Sequence, residues 1–135
     1  YLRIIVTNQS GIGQGFFTEA DFAAVQAEVE RQLRAHGVTI DAVYHCPHRR
    51  EDGCACRKPG TALHREAAER FGIDLARSWC IGDRPSDLLP SQALGGRAVL
   101  VRTGDGELHV AEAGSLGFPV AADLRAAALL LTVPR

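Results

Sequence analysis

Strand-like runs and helical patterns alternate along this chain, and the alternation narrows the fold more than any other feature. The runs "LRIIV" (2–6), "AVYH" (42–45), "WCIGD" (79–83) and "AVLV" (98–101) are short, apolar and bounded by turn residues, as buried strands are. Between the first two, Thr18 with Asp21 three residues on has the pattern of a capping box. Phe22, Val25, Val29 and Leu33 then recur at three- and four-residue steps up to Gly37, which predicts one amphipathic helix. A second helix is expected over 61–71, stopped by Gly72, and a third over 87–94. Pro90 fits the third only in its first turn, where the missing N–H has no helical partner anyway. Residues 104–117 read as a loop-rich stretch, 119–122 as a short strand, and an apolar helix starts at Leu124. Strands separated by helices imply an α/β fold with a parallel sheet covered on both faces. The 135 residues, 46% hydrophobic, suit a single domain with one core.

Ligands of such sheets bind outside the carboxyl ends of the strands. Three polar loops fall there: Thr7 to Gly15, the cysteine-rich stretch after residue 45, and Asp83 to Asp87. With a net charge of −1 and a pI near 6.6, the chain has no overall basic field for a nucleic acid or an anionic membrane, so any phosphate must be held locally. No apolar run approaches the roughly 18 residues of a membrane span, and the reading is a cytoplasmic protein.

The stretch "CPHRREDGCACRKPG" (46–60) carries Cys46, His48, Cys54 and Cys56. Three thiolates and an imidazole at this spacing make a closed tetrahedral set suited to Zn2+, with a disulfide or chance clustering as the alternatives. All four positions would be filled by protein, so such an ion pins a loop rather than activating water. Arg57 and Lys58 follow the last ligand directly, and a pinned loop would aim both cations in a fixed direction. "TNQSG" (7–11) supplies hydroxyls, amides and backbone N–H groups that can donate to phosphate oxygens. "GDRPSD" (82–87) puts Asp83 and Asp87 four residues apart after an apolar strand, a hard-oxygen pair that suits Mg2+. Cys80 reads as a core residue, and His36, His45, His64 and His109 as surface or packing histidines.

Taken together, T-N-Q-S-G, C-P-H with C-x-C-R-K-P, and G-D-R-x-x-D resemble the haloacid-dehalogenase-like (HAD) phosphatases over about residues 2–103. Within them the likeness is to the branch of the D-glycero-D-manno-heptose 1,7-bisphosphate and histidinol-phosphate phosphatases. The resemblance implies a three-layer, Rossmann-like fold without a large cap domain and an aspartyl-phosphate mechanism that needs Mg2+, with a structural Zn2+ in the 46–56 loop. It implies that Thr7 and Lys58 stabilise the transferring phosphoryl group, that Asn8, Gln9, Ser10, Arg57 and Arg84 line the substrate, and that Asp83 binds Mg2+ with Asp87 in support. The implied substrate is a small phosphorylated sugar, and the expected state is a monomer; Ser10 favours the heptose branch, since histidinol relatives tend to be acidic there. Gln14, Arg50 and Pro90 depart from the family pattern.

The family's nucleophile and its general acid/base form a D-x-D-G motif on a strand that comes before the others. No D-x-D occurs in this sequence, and it contains no methionine. The expectation is therefore a phosphatase domain whose first, central strand and catalytic aspartates lie upstream of Tyr1, with a catalytically dead, zinc-stabilised binding module as the alternative.

Overall fold

Every strand pair is parallel, as strands joined through helices require. The computed structural model describes residues 1–132, which divide into two compact units, Tyr1–Ala67 and a second beginning at Ala68. The pairing lies in two sheets rather than one, of two and three strands.

In the first unit, β1 (Ile4–Asn8) pairs with β2 (Ala42–Cys46), from Ile4 opposite Ala42 to Asn8 opposite Cys46. β1 runs two residues past the expected strand and takes in Thr7 and Asn8. The loop beyond it holds a short helix, α1 (Ser10–Gly13). α2 (Glu19–Ala35) starts as the sequence predicts: the Asp21 N–H donates to the Thr18 hydroxyl at 3.1 Å, and the Thr18 N–H to the Asp21 carboxylate at 2.8 Å. It stops at Gly37, whose φ of 73° lets the Val38 N–H turn back to the Leu33 carbonyl at 3.0 Å. Phe22 and Leu33 on its stripe are half-buried, whereas Val25 and Val29 are 65% and 41% exposed. With Ile5, Phe17 and Phe22 these valines line an open groove of about 490 Å³.

The second unit orders its strands β3 (Trp79–Gly82), β4 (Arg97–Val101) and β5 (Val120–Ala121). β4 is central, and its alternate residues face opposite sides. Ala98 and Leu100 join Leu88, Ala113 and Phe118 on one face, while Val99 and Val101 join Ala121 and Ala127 on the other. The first face is covered by α4 (Pro85–Ala93) and α5 (Val110–Ser115), the second by α6 (Leu124–Leu131). α3 (Ala62–Phe71) carries the boundary between the units.

Two expectations need correcting. α4 begins at Pro85, which occupies the first helical turn, so Pro90 lies inside the helix instead of at its start. Pro90 is fully buried, and its ring contributes to packing where its N–H cannot contribute to the helix. Residues 104–117 are not all loop, because they contain a 3-10 turn (Gly106–His109) and α5. Six residues are too few to show a helical period, yet Ala113 is fully buried. Within their own sheets β1, β2, β3 and β5 are edge strands, each with a ladder partner on one side only.

Leu100 is fully buried, so Leu100→Ala should lower unfolding free energy by about 2–5 kcal/mol, read from denaturant melts of the full-length protein. The Asp21 carboxyl is held below its ordinary value of 3.8 by hydrogen bonds from the Thr18 backbone and then its hydroxyl. Its contribution is complete above that ordinary value and lost as pH falls through the lowered native one. The gap in melting temperature between wild type and Asp21→Asn should accordingly close as pH drops below about 4.

Candidate active site and metal centre

β2 ends on Cys46, which is fully buried, and the chain then loops back through a 3-10 turn (Arg50–Asp52) to two more cysteines. The turn is held by Asp52, whose carboxylate accepts the Arg49 N–H at 2.9 Å and pairs with its guanidinium at 3.1 Å. Gly53, at φ 64°, allows the return. Cys46 Sγ then lies 3.5 Å from Cys54 Sγ and 2.9 Å from Cys56 Sγ, and Cys54 and Cys56 are 3.5 Å apart. His48 Nδ1 is 3.5 Å from Cys46 Sγ and 3.2 Å from Cys56 Sγ.

All four donor atoms lie within 4.8 Å of one another. Metal–ligand bonds of about 2.0–2.3 Å in a tetrahedron leave ligand atoms roughly 3.3–3.8 Å apart. Three of the separations are 3.5 Å, and a small spreading of Cys56 from Cys46 and His48 would let the set hold an ion of zinc's size and softness. The four cysteines are free thiols, which removes the disulfide alternative. Burial pushes the Cys54 thiol up, but the backbone N–H of Arg57 and the neighbouring sulfurs outweigh it and bring it down to about 6. Burial and the same sulfurs push Cys56 up to about 12. Three crowded thiols cannot all ionise on their own; a dication at their centre removes that conflict.

The loop leaves the centre through Arg57 and Lys58. The Arg57 side chain is half-buried, and its Nη1 is buried with no hydrogen-bond partner among the described residues. The Lys58 ammonium donates to the Val6 carbonyl at 2.7 Å. Its main chain meets Asn8, whose Oδ1 accepts the Lys58 N–H at 3.0 Å and whose Nδ2 donates to the Lys58 carbonyl at 3.2 Å. The peptide bond from Lys58 to Pro59 is cis. Gln9 donates through Nε2 to the Thr7 hydroxyl at 2.9 Å and through its backbone N–H to the Cys46 carbonyl at 2.8 Å. Ser10 opens α1, and its hydroxyl accepts from Gln14 at 3.3 Å. The first unit therefore brings Thr7, Asn8, Gln9 and Lys58 together around the end of β1. His45, read as a packing residue, stacks on Phe22 at 4.4 Å and meets Glu19 at 2.7 Å.

In the second unit Asp83 follows the last residue of β3, and Arg84 caps α4. The Arg84 N–H donates to Asp87 at 3.1 Å, which makes Asp87 the closing member of a capping box. Gly82 leaves the space that Asp87 occupies: a Cβ at 82 would stand 2.5 Å from Asp87 Oδ2. Asp83 Oδ2 accepts the Asp105 N–H at 2.9 Å, and the Arg84 guanidinium pairs with the Asp105 carboxylate. Gly104, at φ 64°, lies against the same Asp83 oxygen, where a Cβ would collide with it. Sequence reasoning missed Gly104 and Asp105; the signal was "TGDG" directly after the fourth strand, at a carboxyl end like the other loops. Cys80, expected in the core, packs against the Leu88–Leu100 cluster.

A family model described as HAD-hydrolase-like matches residues 55–127. The D-glycero-beta-D-manno-heptose-1,7-bisphosphate 7-phosphatase of Bordetella bronchiseptica is 39% identical over 93% of this chain and 70% of its own length. The chain belongs to the HAD-like hydrolases. A Neisseria meningitidis protein of the same name is 35% identical over 84% of this chain, which spans 61% of that relative's length. The crystal structure of D,D-heptose 1,7-bisphosphate phosphatase from B. bronchiseptica, complexed with magnesium and phosphate, matches 96% of this chain and 73% of its own with a TM-score of 0.90 at 38% identity. The HAD-like α/β fold with parallel sheets expected from the motifs is thereby established.

If the four donors form one closed site, full-length protein should contain about one zinc per chain. Cys54→Ser should reduce both zinc content and melting temperature, because the metal's binding energy is part of the folding energy. Metal analysis and thermal unfolding check both.

Proposed function

We propose that the full-length protein is a Mg2+-dependent phosphatase that removes the 7-phosphate of D-glycero-D-manno-heptose 1,7-bisphosphate. The observation that carries this reading is the buried Arg57 Nη1 without an acceptor, one residue from Lys58 and one from the Cys56 ligand. A buried guanidinium N–H left without an acceptor is costly, and an anionic oxygen is the acceptor it fits best. The named relatives supply the substrate class.

In this reading Lys58 and the Thr7 hydroxyl meet the transferring phosphoryl group, while Ser10, Arg57 and Arg84 contact the rest of the substrate, with Asn8 and Gln9 beside them. Asp83 would hold Mg2+. Its carboxylate suits a hard cation, and because the Asp105 N–H takes one oxygen the other is left with a fixed direction. When bound, the ion neutralises charge on the phosphoryl oxygens. Asp87 supports Asp83 from the next turn by fixing the start of α4. The nucleophile and the general acid/base are not among the residues of this sequence, which holds no D-x-D.

The protein works in the cytoplasm as a monomer on a small phosphorylated sugar, without nucleic acid or membrane. A net charge of −1 speaks against a nucleic-acid backbone as partner, and among the described residues no helix is long and apolar enough to cross a membrane.

Phosphate release by full-length protein should require Mg2+ and favour the heptose bisphosphate over histidinol phosphate; the reverse preference, or no release, would sink the reading. Lys58→Ala with zinc retained should lower kcat by about 10²–10³-fold. Gly104→Ala should raise the Mg2+ concentration for half-maximal activity, since the new Cβ collides with Asp83 Oδ2. An unchanged Mg2+ requirement would remove Asp83 as the ligand.

A further inference from the structure

We infer that Asn8 is a positioning residue that acts through Lys58 rather than by touching the substrate. The inference rests on the proposed role of Lys58 and revises that of Asn8.

Asn8 is the last residue of β1, opposite Cys46 in the ladder. Its side-chain amide presents a donor and an acceptor side by side, as a main-chain peptide does. It uses both on a single residue, giving Nδ2–H to the Lys58 carbonyl and taking the Lys58 N–H on Oδ1, across 50 positions of sequence. The pairing matches the two bonds between facing peptides, with an amide side chain in place of one of them. It also settles which way the amide faces, because only one orientation matches a donor and an acceptor on Lys58.

The lysine is held at its other end too. Its ammonium donates to Val6, two residues before Asn8 on the same strand, and two strand residues span about 6.6 Å. Lys58 therefore runs back along β1 past Thr7, gripped at the main chain by Asn8 and at the head group by Val6. The zinc-type centre fixes the loop up to Cys56, and Asn8 fixes the residue two positions later. Aspartate would keep the acceptor but set a carboxylate oxygen against the Lys58 carbonyl, and serine is too short to reach both groups.

The test is a double-mutant cycle in full-length, zinc-loaded protein, with zinc content and melting temperature measured for each variant. Asn8→Ala should lower kcat for Mg2+-dependent phosphate release by about 10- to 100-fold with little change in KM, the signature of a misplaced group. In a Lys58→Ala background the same change should cost less than about twofold, because the residue it acts through is gone. Equal losses in the two backgrounds would overturn the inference and return Asn8 to the substrate.

Hydrogen exchange of the Lys58 amide, followed by NMR, needs no turnover. It should accelerate at least about tenfold in Asn8→Ala, and unchanged exchange would also overturn the inference. Should Asn8→Ala fail to yield folded, zinc-loaded protein, the isosteric Asn8→Asp carries both measurements. A wild type that releases no phosphate would refute the proposed activity, while the exchange result would still decide the clamp.

Discussion

The closure of the 46–56 loop on Cys46 is the constraint from which the first unit's functional edge follows. Cys46 is the terminal residue of β2 and is itself fully buried, so its sulfur has the positional precision of the sheet. Cys54, Cys56 and His48 acquire that precision only by converging on it. Without such a centre, a loop rich in charge has little apolar surface of its own to order it. The contacts of Lys58 with Asn8 and Val6 would then have to be made from an unanchored loop, and the burial of the Arg57 Nη1 would lose its support. Chemistry that never touches the substrate thus decides where two cations point.

The second unit solves the opposite problem with different means. Its carboxylates are oriented by backbone donors, the Asp105 N–H on Asp83 and the Arg84 N–H on Asp87. The Arg84–Asp105 pair contributes little by itself, since both side chains are substantially exposed. Its effect is to set the guanidinium beside Asp105 at the surface. The rigid part is the main chain around Gly82 and Gly104, and the adaptable part is the pair at the surface.

What the sequence disclosed follows the range of each interaction. The Thr18–Asp21 box, the stop at Gly37 and the four metal-type ligands are set by neighbours a few residues apart, so their spacing reveals them. Pro90 misled because a local rule about helix interiors was outweighed by core packing, which spacing does not encode. Asn8 was legible as a polar residue at a strand end, but its partner stands 50 positions away and no local pattern points to it. Gly104 and Asp105 carried a local signal in "TGDG" after the fourth strand, but their partner Asp83 stands 22 positions before Asp105, and spacing alone does not connect the two loops.

Gly82 and Gly104 have a bearing on how this site can drift over generations. Each carries no reactive group, yet each is the empty space into which a neighbouring acid fits. An aspartate can be regained by a single codon change, but only while the cavity beside it persists; once a side chain fills that cavity, restoring the acid restores nothing. The mutational paths open to this protein are therefore narrowed as firmly by two vacant positions as by the acids they accommodate.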